Sequence, residues 1–156
     1  MIIIDAKDKI LGRLATQVAK KALLGEFIHI INCEKAVISG KKKRVFAHYK
    51  VRTERGIHTK GPFLPRMPDR FVRRTIRGML PYKRPRGAEA FKRILCYKGV
   101  PQQFKDKDTI KLTGHDVSKL PYLKYATVEE VCKFLGAKQW LKNQILSKQV
   151  EKERLP

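Results

Sequence analysis

Four arginines recur over DRFVRRTIRGML, residues 69–80, at positions 70, 73, 74 and 77. On a helix Arg70, Arg73, Arg74 and Arg77 fall within about 100° of one another, with Phe71, Val72, Thr75, Ile76 and Met79 on the opposite side. The chemistry open to such a stripe is bidentate hydrogen bonding to phosphate, with stacking on exposed bases. The bland alternative is a solvated face. That face would ordinarily mix signs for i,i+4 pairing, and no carboxylate follows Asp69 here. Pro68 before the segment and Asp69 as N-cap mark its expected start.

A second cluster is ISGKKKRVFAHYKVR, in which Lys41, Lys42, Lys43 and Arg44 should open a helix running to about Val51. Cations in a first turn face the positive end of the helix dipole and lose roughly 0.3–1 kcal/mol each. A phosphate held by the free backbone N–H groups and by these side chains reverses that sign; a tolerated surface cluster is the alternative. Between the clusters lies RTERGIHTKGPFLPRMP, with Arg52, Arg55, Lys60 and Arg66, too polar for core and too rich in proline for a sheet strand. It reads as an exposed extended arm. Pro62, Pro65 and Pro68 recur at every third residue and would share one face of a three-residue-per-turn helix. A basic loop, PYKRPRG from Pro81 to Gly87, adds Lys83, Arg84 and Arg86 beside Tyr82, which serves either as a stacking platform or as a packing residue.

Other chemistries find no support. His29, His48, His58 and His115 stand apart from other ligand types, and Cys33, Cys96 and Cys132 form no C-x-x-C pair, so neither a metal site nor a disulfide framework is expected. No Walker A loop, G-x-S-x-G elbow, H-E-x-x-H helix or deaminase signature occurs, and the few carboxylates are scattered. No catalytic residue, cofactor or small-molecule substrate is therefore expected. The thiols suit a reducing compartment, and the absence of long apolar runs argues against a signal peptide or membrane span.

The composition fits the same chemistry. Across 156 residues, 36 Lys and Arg stand against 14 Asp and Glu, a formal net charge of +22 with 42% hydrophobic residues. This is a foldable polycation, and its partner should be a polyanion. Residues 41–93 carry 18 basic and 3 acidic side chains, whereas residues 1–40 carry 6 and 4 and residues 94–156 carry 12 and 7. Charge concentrated in one third of the chain marks a binding element.

The elements that must hold it follow from hydrophobic period. Ile2 to Ile4 reads as a buried strand, and LGRLATQVAKKALLG as a helix with Leu11, Leu14, Ala15, Val18 and Ala22 on one face and Gly25 as its stop. FIHIIN and AVISG are β-rich, so strand, helix and strand compose a right-handed βαβ unit. Ile94 to Tyr97 and Thr109 to Leu112 are further short strands. After Gly114, LPYLKY reads as a connector and TVEEVCKFLG as a helix with a Thr127/Glu130 capping box ended by Gly136; residues 137–153, with Trp140, Leu141 and Ile145, suggest a last helix. The class is α/β with a small, mostly parallel sheet. An RNA-binding core over 1–115 is expected, including the basic arm and loops of 41–93, with a C-terminal helical extension over 116–156.

The order of IDA and LGRLATQVAKKALLG, then NCEKAVISG, then KGPFLPRMPDRFVRRTIRGMLPYKRPRG, then CYKGVP resembles the universal large-subunit ribosomal protein L-thirteen family in its archaeal and eukaryotic cytosolic form. The most specific signature is RGMLP followed by K-x-x-RG, here Arg77 to Pro81 with Lys83, Arg86 and Gly87. The resemblance implies a three-layer α/β/α core around a four-stranded, mostly parallel sheet. It further implies binding to large-subunit ribosomal RNA, neighbouring large-subunit proteins, a cytoplasmic ribosomal location and no enzymatic activity. Contact would be by shape and backbone, since A-form RNA hides its base edges in a deep groove. The rival readings are an RNA-processing or modifying enzyme, which would need a clustered acid, base or cofactor loop, and a DNA-binding regulator, which would need Asn or Gln on its reading helix and a dimer motif.

Overall fold

A computed structural model describes residues 1–57, 59–105, 107–110, 112 and 114–137. The chain runs β1 (Ile2–Asp5), α1 (Leu11–Leu23), β2 (Ile28–Ile31), β3 (Val37–Ser39), α2 (Lys42–Glu54), α3 (Pro68–Gly78), α4 (Pro85–Lys92), β4 (Ile94–Cys96), β5 (Tyr125–Thr127) and α5 (Val128–Phe134). β2 is the central strand of a three-stranded parallel sheet in the order β1-β2-β4, with Ile2 opposite Ile28 and Ile28 opposite Ile94. The β-branched run at the N-terminus and the apolar period of α1 thus form the expected βαβ unit.

Alternation along the strands divides the core. Ile4, Ile28, Ile30 and Ile94 join Leu11, Leu14, Ala15 and Val18 of α1 and Phe71, Val72 and Ile76 of α3 in one buried cluster. Ile3 and Ile31 face the other way, under Phe104 of a short 3-10 turn, with Tyr97 beside them.

Several expectations change. AVISG does not extend the parallel sheet: β3 pairs antiparallel with β5, Val37 opposite Thr127 and Ser39 opposite Tyr125. The cause is a redirection after β2. Asn32 takes a left-handed conformation at φ 53°, its Nδ2 donates to Asp5 Oδ1 at 2.9 Å, and a 3-10 turn over Cys33–Lys35 follows. The buried Glu34 holds the next chain crossing by accepting from Gly99 N at 3.0 Å. The sheet therefore has three described strands rather than four. Of Thr109 to Leu112, Ile110 makes a single parallel bridge to Ile4, its N–H donating to Ile3 O at 2.8 Å, and Lys111 lies outside the described residues.

LPYLKY is more than a connector, because Tyr125 already belongs to β5. The capping box forms as expected, Thr127 Oγ1 accepting from Glu130 N and Glu130 Oε2 from Thr127 N, each at 3.2 Å. Of residues 116–156, Val128, Val131, Cys132 and Leu135 pack in the same cluster as Ile4 and Leu14. The helix expected over 137–153, with Trp140, Leu141 and Ile145, lies outside the described residues beyond Ala137.

In the basic third, α2 extends to Glu54, so Arg52 is helical rather than part of an extended arm. Asp69 is not the N-cap of α3: Met67 is, Pro68 takes the first helical position, and Asp69 instead sets its charge against the positive helix end. The loop from Pro81 to Gly87 becomes α4 at Pro85, so Arg86 is helical. Gly87 is buried there, and a Cβ on it would lie 2.2 Å from Pro81 O. Gly87→Ala is therefore expected to cost at least about 1–3 kcal/mol by overpacking, whereas Gly12→Ala, with open space around it in α1, should cost nothing or stabilise by up to about 1 kcal/mol. Thermal denaturation of the two variants checks the pair.

Candidate nucleic-acid interface

The basic residues are carried by three elements, and contiguous recesses bring Arg44, Arg52, Arg55, Arg66 and Arg74 together, while Lys83 and Arg84 line a separate one. α3 supplies the stripe, because burying Phe71, Val72 and Ile76 turns the opposite side outward. Its four arginines are not equivalent. Arg70 and Arg74 are exposed, whereas Arg73 and Arg77 are half-buried. The Arg73 guanidinium lies 4.4 Å from the centre of the Phe91 ring and its Nη2 donates to Phe91 O at 3.4 Å. Arg77 lies 4.6 Å from the centre of the Tyr82 ring. Tyr82 thus meets an arginine of the protein itself, and that contact joins the stripe to the turn bearing Lys83 and Arg84.

α2 is the second of these elements. Lys41 is its N-cap with no side-chain cap hydrogen bond, and no acidic residue lies in its first turn. The first N–H groups of α2 therefore open onto a cluster of cations. Lys42 is compensated across the fold by Glu130 of α5, at 2.6 Å, while Lys43 and Arg44 stay exposed. Lys41 and Arg44 line a recess with Ser39, Tyr122 and Lys124.

The segment between α2 and α3 opens with a tight turn closed by Ile57 and Gly61, and only its remainder, residues 62–66, runs without regular secondary structure as an arm would. Ile57 and Gly61 form an antiparallel bridge, Gly61 N donating to Ile57 O at 2.8 Å and Lys60 N at 3.1 Å. Gly56, at φ +85°, is required there, since a Cβ would meet Gly61 O at 2.0 Å. Lys60 stays exposed at its tip, and Arg66 reaches the end of α5, 3.6 Å from where a Cβ on Gly136 would stand. Pro62 and Pro65 line a groove, whereas Pro68 is buried in α3, so the three prolines do not share one exposed face.

That groove brings Arg52 of α2, Arg55 of the loop and Arg74 of α3 together over Tyr49, Phe63, Leu64 and Phe71. Phe63 and Leu64 escaped the sequence reading, which weighed this stretch only for its cations and prolines. The available signal was an aromatic residue between prolines and flanked by arginines. Among the described residues no ion pair within 4.0 Å involves Arg52, Arg55, Arg66, Arg70 or Arg74. The groove is cationic over an apolar floor.

Nucleophilic thiol chemistry is disfavoured. Burial pushes the Cys132 thiol up to about 12, and a hydrogen bond with Cys96, then burial, raises Cys33 well above the usual thiol range. Among the described residues no group of three or more His, Cys, Asp or Glu could hold a metal ion, and no helix is long and apolar enough to cross a membrane.

Comparison with known proteins agrees with this chemistry. A family model described as Ribosomal protein L13 matches residues 1–103. The large ribosomal subunit protein uL13 of Methanosarcina barkeri is 48% identical over 139 residues, covering 88% of this chain and 99% of that protein. Its namesake in Methanococcoides burtonii is 45% identical over 138 residues, with 88% and 99% covered. That of Archaeoglobus fulgidus is 44% identical over 135 residues, with 86% of each covered.

Two expectations about stability follow. Arg73→Ala should destabilise the protein by about 1 kcal/mol through loss of the Phe91 contact, while Arg70→Ala should stay within about 0.5 kcal/mol, read by chemical denaturation. Glu130 titrates lower than an ordinary glutamate: burial pushes it up, but the Lys42 and Thr127 hydrogen bonds outweigh that. Its contribution is therefore present above the unfolded-state value and lost as pH falls through the lower folded-state value. Glu130→Gln should flatten the acid side of the stability–pH curve between those two values.

Proposed function

The chain belongs to the ribosomal protein L13 family, structural constituents of the large ribosomal subunit rather than enzymes, and from that premise we propose which of its residues hold large-subunit ribosomal RNA. The carrying observation is the unpaired guanidinium surface around Arg52, Arg55 and Arg74. In this reading Arg70 and Arg74 take phosphates directly, and Arg73 and Arg77 do so through the edges left free by Phe91 and Tyr82. Lys41, Lys42, Lys43 and Arg44 bind at the start of α2, Lys60 and Arg66 extend the surface along the loop, and Lys83, Arg84 and Arg86 extend it past Tyr82. The same reading places the chain on cytoplasmic ribosomes beside neighbouring large-subunit proteins, with residues 109–112 as a fourth strand of a three-layer core.

Such binding is chiefly electrostatic. With about eight phosphates engaged, the log–log salt slope for a large-subunit ribosomal RNA fragment should be near about −6, from roughly −0.7 to −0.9 per phosphate. Arg70→Gln combined with Arg74→Gln should make that slope shallower by about 1.4–1.8 while leaving the melting curve nearly unchanged. A wild-type slope shallower than about −2 in a filter-binding titration would overturn the reading.

A further inference from the structure

We propose that the groove between α2, the loop and α3 is a receptor for one unpaired nucleotide, with its base on Phe63 and its flanking phosphates on Arg52, Arg55 and Arg74. The inference rests on the RNA-binding reading and goes beyond it, since phosphate contacts alone would suit any A-form duplex.

The groove encloses about 490 Å³, within the size of sites that hold small organic molecules, about 300–1,000 Å³. Its floor is Tyr49, Leu64 and Phe71, its walls carry three guanidinium groups, and no carboxylate is among its lining residues. Phe63 is 69% exposed, so most of its ring lies open. Single exposed apolar residues are ordinary. This one stands in the lining of two adjoining recesses rich in arginine. Gly61, at φ +84°, lets the ring fold back, Phe63 Cδ2 lying 3.1 Å and Cε2 3.2 Å from where a Cβ would stand.

The groove also continues. A recess of about 430 Å³ shares Arg52 and Arg55 with it and adds Arg44 and His48, and another of about 530 Å³ shares Arg55 and Phe63 and adds Arg66. The strand leaving the bound nucleotide therefore meets Arg44 in one direction and Arg66 in the other, the latter in a recess that also holds Glu54, a carboxylate already paired with Lys50. A ring face open to a base, an apolar floor and cations spaced along the exits recognise a splayed-out nucleotide. Paired bases cannot reach Phe63 without leaving their stack. An acidic peptide would satisfy the arginines but has no need of the ring.

The test compares the full-length protein on a 16-base-pair RNA duplex and on the same duplex bearing one bulged 2-aminopurine. The bulged RNA should bind at least about fivefold tighter with quenched 2-aminopurine emission, and Phe63→Ala should remove about five- to a hundredfold of affinity for it while leaving the perfect duplex within twofold. Phe63→Trp should keep the preference and Phe63→Leu should lose it; unchanged circular dichroism and melting separate this from unfolding. Equal, strong binding of both RNAs by the wild type would overturn the nucleotide site and leave the electrostatic reading standing. Failure to bind either would overturn both. A Phe63-dependent affinity for a Glu–Tyr copolymer exceeding that for the bulged RNA would assign the groove to protein instead.

Discussion

Burial of one face of α3 is the contact on which the basic surface depends. Phe71, Val72 and Ile76 are 3%, 0% and 0% exposed, and packing each is worth about 1.5–3 kcal/mol. They meet α1 and the strands below. Through them a segment with four arginines in eight residues, Arg70 to Arg77, is fastened to a core shared by β1, α1, β2, β4 and α5. Nothing on the exposed side of α3 could do this, because its charges repel one another. The groove shares that anchor on one side, where Arg74 of its wall and Phe71 of its floor both belong to α3.

Several of the scarce carboxylates pair with cations outside the groove, while Glu54, paired with Lys50, lines the adjoining recess beside Arg55 and Arg66. Asp116 meets Lys9, Glu129 meets Lys133, Glu89 meets Arg93, and Glu130 meets Lys42. Pairs this exposed are individually worth about 0–1 kcal/mol. Their positional effect is larger: Lys9, Lys133 and Arg93 are neutralised within the framework and Lys42 at the edge of the basic cluster, and the repulsion that remains is gathered where a polyanion can relieve it. Stability and binding are thereby coupled, since RNA removes a repulsion that the free fold must carry.

What was legible in the sequence was local. The 3.6-residue period gave α1 and α3, and the Thr127/Glu130 pair marked the start of α5, because each signal lies within one element. β5 was hidden because its three residues run directly into the capping box, leaving no alternation to read, and its partner β3 is some ninety positions earlier. Asp69 was misplaced because Pro68 is itself acceptable at the first helical position, which moves the cap to Met67. The groove was invisible for a different reason. It depends on Gly56 and Gly61 closing a loop against each other, a tertiary approach that spacing does not encode.

The split within the arginine stripe is informative about how such a surface binds. A long free side chain loses about 1.5–2 kcal/mol of rotamer freedom when it is fixed. Arg73 and Arg77 meet that cost in the folded protein, where Phe91 and Tyr82 take the guanidinium faces. A stacked guanidinium offers its edge, and its N–H groups lie in the plane that a phosphate approaches. These two guanidinium groups are therefore held in the free protein, Arg73 with its Nε buried and its Nη2 given to Phe91 O, whereas the exposed Arg70 and Arg74 keep their rotamer freedom. Because pre-orientation lowers the ordering cost of association, an anion meeting the stripe would fix the half-buried pair at less entropic cost than the free pair.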